Sequence, residues 1–395
     1  MMEIGLVGKP NVGKTTFFSA ITLIKAEIAN YPFTTIEPNR GVTYLKTKCP
    51  HEEFGVKCNP RNSICENGIR YVPIEIIDVA GLVPDAHKGK GLGNKFLDDL
   101  RQASALIHII DASGGTDEKG NICAIGARDP VDDVQFLNRE ISFWIKGIIE
   151  KGWNKISKQA EQGVGKLEIV LAERLAGLGI TENQIRLAFH NSIAPIDKPS
   201  KWSEEEFLDL IDQIRKISKP MIIAANKCEI APKENIDKLS DVGIEAIPTS
   251  AESELALRRA AKAGLIKYTA GDSDFEIADK SKLTEKQLQG LEQMRDCIKK
   301  FGDTGVQKCI EKVAYKLLDL IVVYPVEDES KLTDKDGRVL PDAHLIKRGS
   351  TARDLAYKVH TDLGKNFIRA INVRTKRTIG AGYVLLDGDV IKIVT

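Results

Sequence analysis

Charge of one sign is what this chain of 395 residues most plainly lacks, with 57 Lys and Arg against 56 Asp and Glu and a formal net charge of +1. No chain-wide field is available to recruit nucleic acid, an acidic substrate or a membrane surface. Long apolar runs are missing too: nothing approaches the roughly 18 residues that cross a bilayer, and the opening MMEIGLVGKP has neither the basic flank nor the apolar stretch of a signal peptide. The expectation is a cytoplasmic protein with no membrane attachment. Repeats and low-complexity tracts are absent. The seven cysteines, Cys49, Cys58, Cys65, Cys123, Cys228, Cys297 and Cys309, do not read as a disulfide framework in so long a cytosolic chain. What is present, 42% hydrophobic and 29% charged residues, excludes disorder on composition. At roughly 100–200 residues per domain, the length corresponds to about two to three domains.

The first informative segment is an apolar run, Met2-Glu3-Ile4-Gly5-Leu6-Val7, leading into Gly8-Lys9-Pro10-Asn11-Val12-Gly13-Lys14-Thr15 and then a helical pattern from Thr16. Strand, glycine-bearing loop and helix in this order form the context of a phosphate-binding loop. Gly8 and Gly13 let backbone N–H groups around Val12 turn inward on an anion at a helix N-terminus. In this pattern Lys14 reaches the β- and γ-phosphates, and the Thr15 hydroxyl, with Thr16 beside it, stands at the Mg²⁺ and phosphate end.

Three more elements follow apolar runs, at the strand ends where open α/β sheets hold ligands. They are Asp78-Val79-Ala80-Gly81, Asn226-Lys227-Cys228-Glu229 and Ser250-Ala251. Asp78 is expected to hold Mg²⁺ through water, and the Gly81 N–H to sense the γ-phosphate. This order resembles the G1, G3, G4 and G5 elements of GTPases. Tyr31-Pro32-Phe33-Thr34-Thr35-Ile36 resembles switch I of the Obg-type GTPases, and the stretch from Asp78 through Gly89-Lys90-Gly91-Leu92-Gly93-Asn94-Lys95 resembles their switch II. Over nearly its whole length the chain is similar to YchF-related members of the Obg family, in the archaeal and eukaryotic branch. The resemblance implies a GTP-binding and GTP-hydrolysing switch, with Thr35 as a Mg²⁺ ligand, Thr34 as its nearest rival, and Lys14, Thr35 and Gly81 serving catalysis.

The pattern departs from common GTPases at two positions. Leu82 stands where many have a water-orienting glutamine, so slow intrinsic turnover is expected. Two groups are candidates for the missing function. Asn11 matches the position that coordinates K⁺ in cation-dependent relatives, or else only shapes its loop; His87 either orients water or is a surface histidine. Glu229 replaces the usual aspartate that accepts two guanine hydrogen bonds and is one methylene longer. With Asn226 and Lys227 retained, GTP/GDP is the expected ligand, and ATP the alternative for a stress-related nucleotidase.

From Asp78 to Asn226 is 148 positions, where two βαβ units of roughly 60 residues would join such elements. Val134, Leu137, Ile141, Ile145 and Ile148 lie at helical spacing, and a second helical pattern spans Leu167 to Leu175. The fold class expected is α/β: a P-loop NTPase G domain with a mostly parallel sheet, an inserted helical hairpin domain, and a C-terminal β-grasp (TGS) domain. The boundaries expected are 1–129 and 201–320 for the G domain with its connecting helices, 130–200 for the insertion and 321–395 for the TGS domain.

Cys49, His51, Cys58 and Cys65 supply four donors of the type that binds zinc, at spacings looser than usual knuckles; unpaired thiols in a long loop are the competing reading. Cys228, inside the base-recognition element, reads as a packed thiol. Between residues 343 and 377, nine basic residues face two acidic ones, a local +7 in a chain of net +1. Lys347, Arg348, Arg369, Arg374, Lys376 and Arg377 are therefore candidate contacts to RNA or ribosome through the TGS domain, or a solvated basic face. A ribosome- or RNA-binding factor whose nucleotide is structural is the rival to the switch.

Overall fold

The computed structural model describes residues 2–23, 39–81 and 93–395. Thr34, Thr35, Leu82 and His87 lie outside the described residues. The chain divides into two compact units, residues 1–20 with 76–309, and residues 21–75 with 310–395.

In the first unit the strands Glu3–Val7, Ala105–Asp111 and Met221–Asn226 are buried at every position. That is the signature of a parallel sheet covered on both faces. Glu3–Val7 pairs in parallel with Ala105–Asp111, Leu106 lies opposite Met221 and Asp111 opposite Asn226, and Ala246–Pro248 joins beyond. The end of Ile69–Asp78 flanks Glu3–Val7 on its other side. The chain thus moves one way from the first strand and later the other. This reversal opens a crevice at the carboxyl ends, where Val7, Asp78, Asp111 and Asn226 stop.

The insertion holds four α-helices, Val131–Glu150, Trp153–Glu161, Leu167–Leu175 and Glu182–Asn191, where apolar spacing pointed to two. Gly152, at φ 78°, separates the first pair. Thr181 and Ser203 close capping boxes with Gln184 and Glu206, starting the fourth helix and Glu204–Ser218. Leu137, Ile141, Leu171 and Ile185 share one apolar core with Val7, Ile77 and Leu106. The insertion therefore extends the core of the sheet domain rather than building its own.

The second unit contains a five-stranded sheet in the order His344–Lys347, Leu320–Val326, Val390–Val394, Arg369–Asn372, Arg377–Ile379. Leu320–Val326 runs parallel to Val390–Val394 and antiparallel to His344–Lys347. Its side chains alternate between two cores, as strand geometry requires. Ile321 and Val323 pack with Leu355 and Ala356 of the helix Ala352–Val359, whereas Val322, Tyr324 and Val326 pack with Val72, Phe54 and Val56. One sheet face holds its β-grasp helix and the other is covered by residues 54–72.

His108 sits inside the central strand with its Nδ1 unpartnered among the described residues. Burial, with nearby Lys9, lowers its imidazole from the ordinary value to about 3. The ring is neutral in the folded chain and titrates near pH ~6.5 once unfolded. Unfolded molecules take up the proton first, so stability is lost as pH falls from about 6.5 toward 3, at a slope of about 1.4 kcal/mol per pH unit for this residue. His108→Leu is expected to flatten the fall of the thermal midpoint across that window, measured by scanning calorimetry at stepped pH.

Candidate functional site

The loop between Glu3–Val7 and the helix Lys14–Thr22 borders a cavity of about 460 Å³, all of whose lining residues belong to the first unit. Gly8 turns so tightly over the central strand that a Cβ there would lie 2.5 Å from the Ile109 carbonyl. Gly13 has φ +96°, and a Cβ would strike the Asn226 amide. Gly8 is required by the close approach of the Ile109 backbone, and Gly13 by its left-handed conformation and the nearness of the Asn226 side chain.

Asn226 organises the site. Its Nδ2 donates to the Val12 carbonyl at 2.8 Å, and its Oδ1 accepts from the Ala251 N–H at 3.0 Å, so the phosphate loop and the Ser250-Ala251 loop are tied through one buried carboxamide. Lys227 takes a left-handed conformation, φ 62°, and its ammonium meets the Asp111 carboxylate at 2.8 Å. This fixes the lysine stem along the cavity wall, where it can cover the face of a planar base. Glu229 is exposed, and it lines the cavity together with Glu252. Ser250 is buried, its hydroxyl capping the helix Ala251–Lys262 through Ser253, so side-chain contact from Ser250 to a ligand is not what this loop offers.

At the phosphate end, Lys14 donates to the Asp78 carboxylate and, at 2.7 Å, to the Val79 carbonyl. Thr15 is exposed at the helix start and Thr16 lies beside it on the cavity wall. Gly81 ends the described segment, its nearest outside neighbour Pro10 at 3.9 Å from where a Cβ would stand. A hydroxyl and a carboxylate make an all-oxygen donor set, which fits Mg²⁺. Asn11, at φ 62°, donates from Nδ2 to the Gly120 carbonyl at 2.9 Å. Its oxygen is the side-chain atom left to ligate a cation.

Four contributing residues escaped the sequence reading. Lys9 is buried and donates to the Thr116 carbonyl at 3.0 Å and to Asp133 at 2.9 Å, tying the phosphate loop to the insertion's first helix. Burial keeps the Asp133 carboxyl above the usual carboxylate range despite that lysine. Asp111 had a legible signal, an aspartate closing an apolar run, the same grammar as Asp78. Asp99 accepts from the Ala80 N–H at 3.2 Å, and Glu252 follows Ser-Ala directly.

Elsewhere, Cys228 lies 3.9 Å from Cys297, both buried; the neighbouring thiol and burial push Cys228 up, as expected of a packed, protonated thiol. Cys49, His51, Cys58 and Cys65 converge. The six basic candidates do not form one surface: Lys347 and Arg348 lie at one edge of the five-stranded sheet, and Lys376 and Arg377 at the opposite edge, beside the Arg369 strand. Arg348 pairs with Asp319 and Arg374 with Glu53.

Comparison with known proteins matches residues 3–138 to the family described as 50S ribosome-binding GTPase, residues 224–328 to the Obg-like GTPase YGR210-like, G4 motif-containing domain, and residues 332–395 to the TGS domain. The chain is 55% identical to an uncharacterized GTP-binding protein of Methanocaldococcus jannaschii, covering 100% of this chain and 99% of the relative. It is 29% identical to the ribosome-binding ATPase YchF of Bacillus subtilis, covering 99% and 98%. Among solved structures it is similar to a GTP-binding protein of Pyrococcus horikoshii, with 44% identity, full coverage of both chains and a TM-score of 0.78.

The Lys227–Asp111 pair has a measurable consequence. Asp111→Asn keeps an acceptor for Ser113 but removes the charge that fixes Lys227. Loss of one charge-assisted hydrogen bond, about 1.5–3 kcal/mol, is expected to weaken nucleotide binding at least roughly tenfold, measured by titration calorimetry with GDP.

Proposed function

This chain belongs to the Obg-like, YchF-related family of P-loop GTPases, and we propose that it binds and hydrolyses GTP as a translation-associated regulatory protein whose attachment to ribosome or RNA follows its nucleotide state. The observation that carries this reading is the intact base-recognition element, Asn226 and Lys227 both locked in place, with the carboxylates of Glu229 and Glu252 on the same cavity. Guanine offers N1–H and N2–H donors to a carboxylate, and adenine offers no such pair. The similar archaeal protein is named for GTP binding.

Catalysis in this reading is positioning and charge. Lys14 neutralises the transferring phosphoryl oxygens and the Gly81 N–H meets the γ-phosphate. Thr15 and Asp78, with Thr35, would hold Mg²⁺, which supplies positive charge between the β- and γ-phosphates when bound. No glutamine follows Gly81, so turnover is slow; the Asn11 oxygen would hold K⁺, which would supply the charge an arginine finger gives elsewhere. Movement of switches I and II with the γ-phosphate is the switching element. The ribosome enters through the relative named a ribosome-binding ATPase, and the exposed Lys347, Arg369, Lys376 and Arg377 are the TGS groups offered to phosphates.

A second reading, an ATP-preferring nucleotidase, is favoured by the extra methylene of Glu229 and by that relative's name. Competition against a fluorescent GDP decides between them. GTP is expected to displace the probe at a concentration at least tenfold below that of ATP; equal or tighter ATP binding replaces the first reading with the second. Sedimentation with ribosomes is expected to be stronger with a non-hydrolysable GTP analogue than with GDP, and nucleotide-independent sedimentation removes the switch. Replacing K⁺ by Na⁺ is expected to lower turnover, and equal rates in the two salts exclude a cation at Asn11.

A further inference from the structure

The long loop after the strand Arg40–Lys48 brings together four side chains that no part of nucleotide chemistry uses. Cys49 ends the strand's exit, its N–H donating to the Gly68 carbonyl at 2.8 Å. A tight turn follows, with the Phe54 N–H on the Pro50 carbonyl and the Val56 N–H on the His51 carbonyl, so that the chain doubles back and returns Cys58 beside Cys49. Cys65 arrives from a hairpin, Ile64–Glu66 paired with the start of Ile69–Asp78. Asn67 and Gly68, both at positive φ, make its two-residue turn.

The separations suit four donors around one metal ion. Cys49 Sγ and Cys58 Sγ lie 3.9 Å apart, His51 Nδ1 is 3.4 Å from Cys58 Sγ and 3.4 Å from Cys65 Sγ, and all four donor atoms fall within 4.8 Å of one another. A tetrahedral zinc with bonds of about 2.3 Å to sulfur and about 2.0–2.1 Å to nitrogen places its ligands roughly 3.8 Å apart for sulfur pairs and roughly 3.5 Å for sulfur and nitrogen. A disulfide needs about 2.05 Å between sulfurs, and packed thiols have no reason to surround an imidazole.

A second observation, independent of those distances, concerns charge. Arg70 is fully buried at 0% exposure, the bulkiest such side chain among the described residues. Its Nε donates to Cys49 Sγ at 3.4 Å, Nη1 to Ser63 Oγ at 2.9 Å and Nη2 to the Leu340 carbonyl at 3.0 Å, with the Tyr324 ring 5.5 Å from its guanidinium carbon. No carboxylate stands among these partners. A buried guanidinium without a counter-charge is costly, several kcal/mol in effect. Three thiolates and a neutral imidazole around a divalent cation carry a net charge of −1, next to that arginine.

We infer that Cys49, His51, Cys58 and Cys65 form a structural zinc site, a closed Cys₃His centre with Arg70 as its buried counter-ion. Four protein ligands leave no open position, which makes the site structural rather than catalytic. What it braces is visible in the loop between Cys58 and Cys65. That loop runs along residues 339–343: the Asn59 N–H meets the Val339 carbonyl at 3.1 Å, the Arg61 N–H the Pro341 carbonyl at 2.7 Å, the Ala343 N–H the Asn62 Oδ1 at 2.9 Å, and Arg61 pairs with Asp342. The metal would pin both ends of the strip on which the C-terminal domain's loop lies. The inference does not depend on which nucleotide the first unit prefers.

Metal analysis of the full-length chain, purified under reducing conditions with zinc supplied, is expected to find one equivalent of zinc. Exchange for Co²⁺ is expected to give the visible bands of a tetrahedral ion and the ultraviolet charge transfer of thiolate ligation. Cys65→Ser and His51→Ala are expected to lower bound zinc severalfold at equal protein, whereas Cys123→Ser, which is not one of the four donors, keeps it. Stripping zinc with a chelator is expected to lower the thermal midpoint, and adding Zn²⁺ back to restore it. A zinc-free reduced protein that takes up neither Zn²⁺ nor Co²⁺ overturns the site, and so does a Cys49–Cys58 disulfide in the freshly isolated chain or iron in place of zinc. If the variants fail to fold, the cobalt spectrum of the unaltered chain still decides.

Discussion

One buried carboxamide holds the nucleotide site together. Asn226 closes a parallel strand and faces two loops that leave strands on either side of it, and it has a donor and an acceptor in the orientation those loops need. Aspartate at this position would offer no donor to Val12, and leucine would leave both backbone groups buried and unpaired, at about 1–3 kcal/mol each. Because the site sits at the ends of separate strands, no local sequence interaction can set the spacing between its loops. The cross-link at Asn226 does, and the left-handed backbone at Asn11, Gly13 and Lys227 is what lets the loops approach it.

The second unit depends on a cross-link of the same logic, made by a charged group instead of a neutral amide. Arg70 joins the cysteine-bearing loop, Ser63 and the Leu340 carbonyl, and lies over the ring of Tyr324 in the strand Leu320–Val326. Around it, Val72 and Tyr324 contribute to one apolar core, so the guanidinium is sealed from water by the chain segments that it connects. Truncating it would leave acceptors unmet on both sides. Polar groups of this kind specify one arrangement of flat apolar faces that hydrophobic contact alone would leave free to slide.

Legibility in the sequence followed the distance over which each feature is encoded. The phosphate loop, Asp78 and the Asn226-Lys227 element were readable because each is a strand end with a fixed local grammar. Asp111 shares that grammar but belongs to no familiar short motif. Lys9 reads as part of the phosphate loop, yet its ammonium turns away to Asp133, 124 positions on, a pairing no local pattern carries. Of the insertion's two helices that apolar spacing did not mark, Trp153–Glu161 starts at Gly152 without a side-chain cap, and Glu182–Asn191 is marked by the Thr181/Gln184 capping box. The local +7 between residues 343 and 377 was a property of order along the chain. Sheet order separates it, because residues near in sequence occur on strands at opposite edges.

The cysteine cluster is where counting along the chain says least, and the reason is geometric. Ligand spacing is informative when the intervening residues form one tight knuckle, since the chain then has a single way to close. Here closure is shared between two devices: the reversal from Pro50 to Val56, and the hairpin through Asn67 and Gly68, which returns Cys65 across from Arg70. Each is a local and legible turn, but their convergence requires both strands to be present. A hairpin of three residues a side has little stability alone. It is held by Arg70, whose own burial requires the β-grasp face over it. The sequence distance between Arg70 and Leu340 is therefore the physical measure of why the cluster could not be read locally: the arginine that donates to Cys49 is anchored on a carbonyl 270 positions further along the chain.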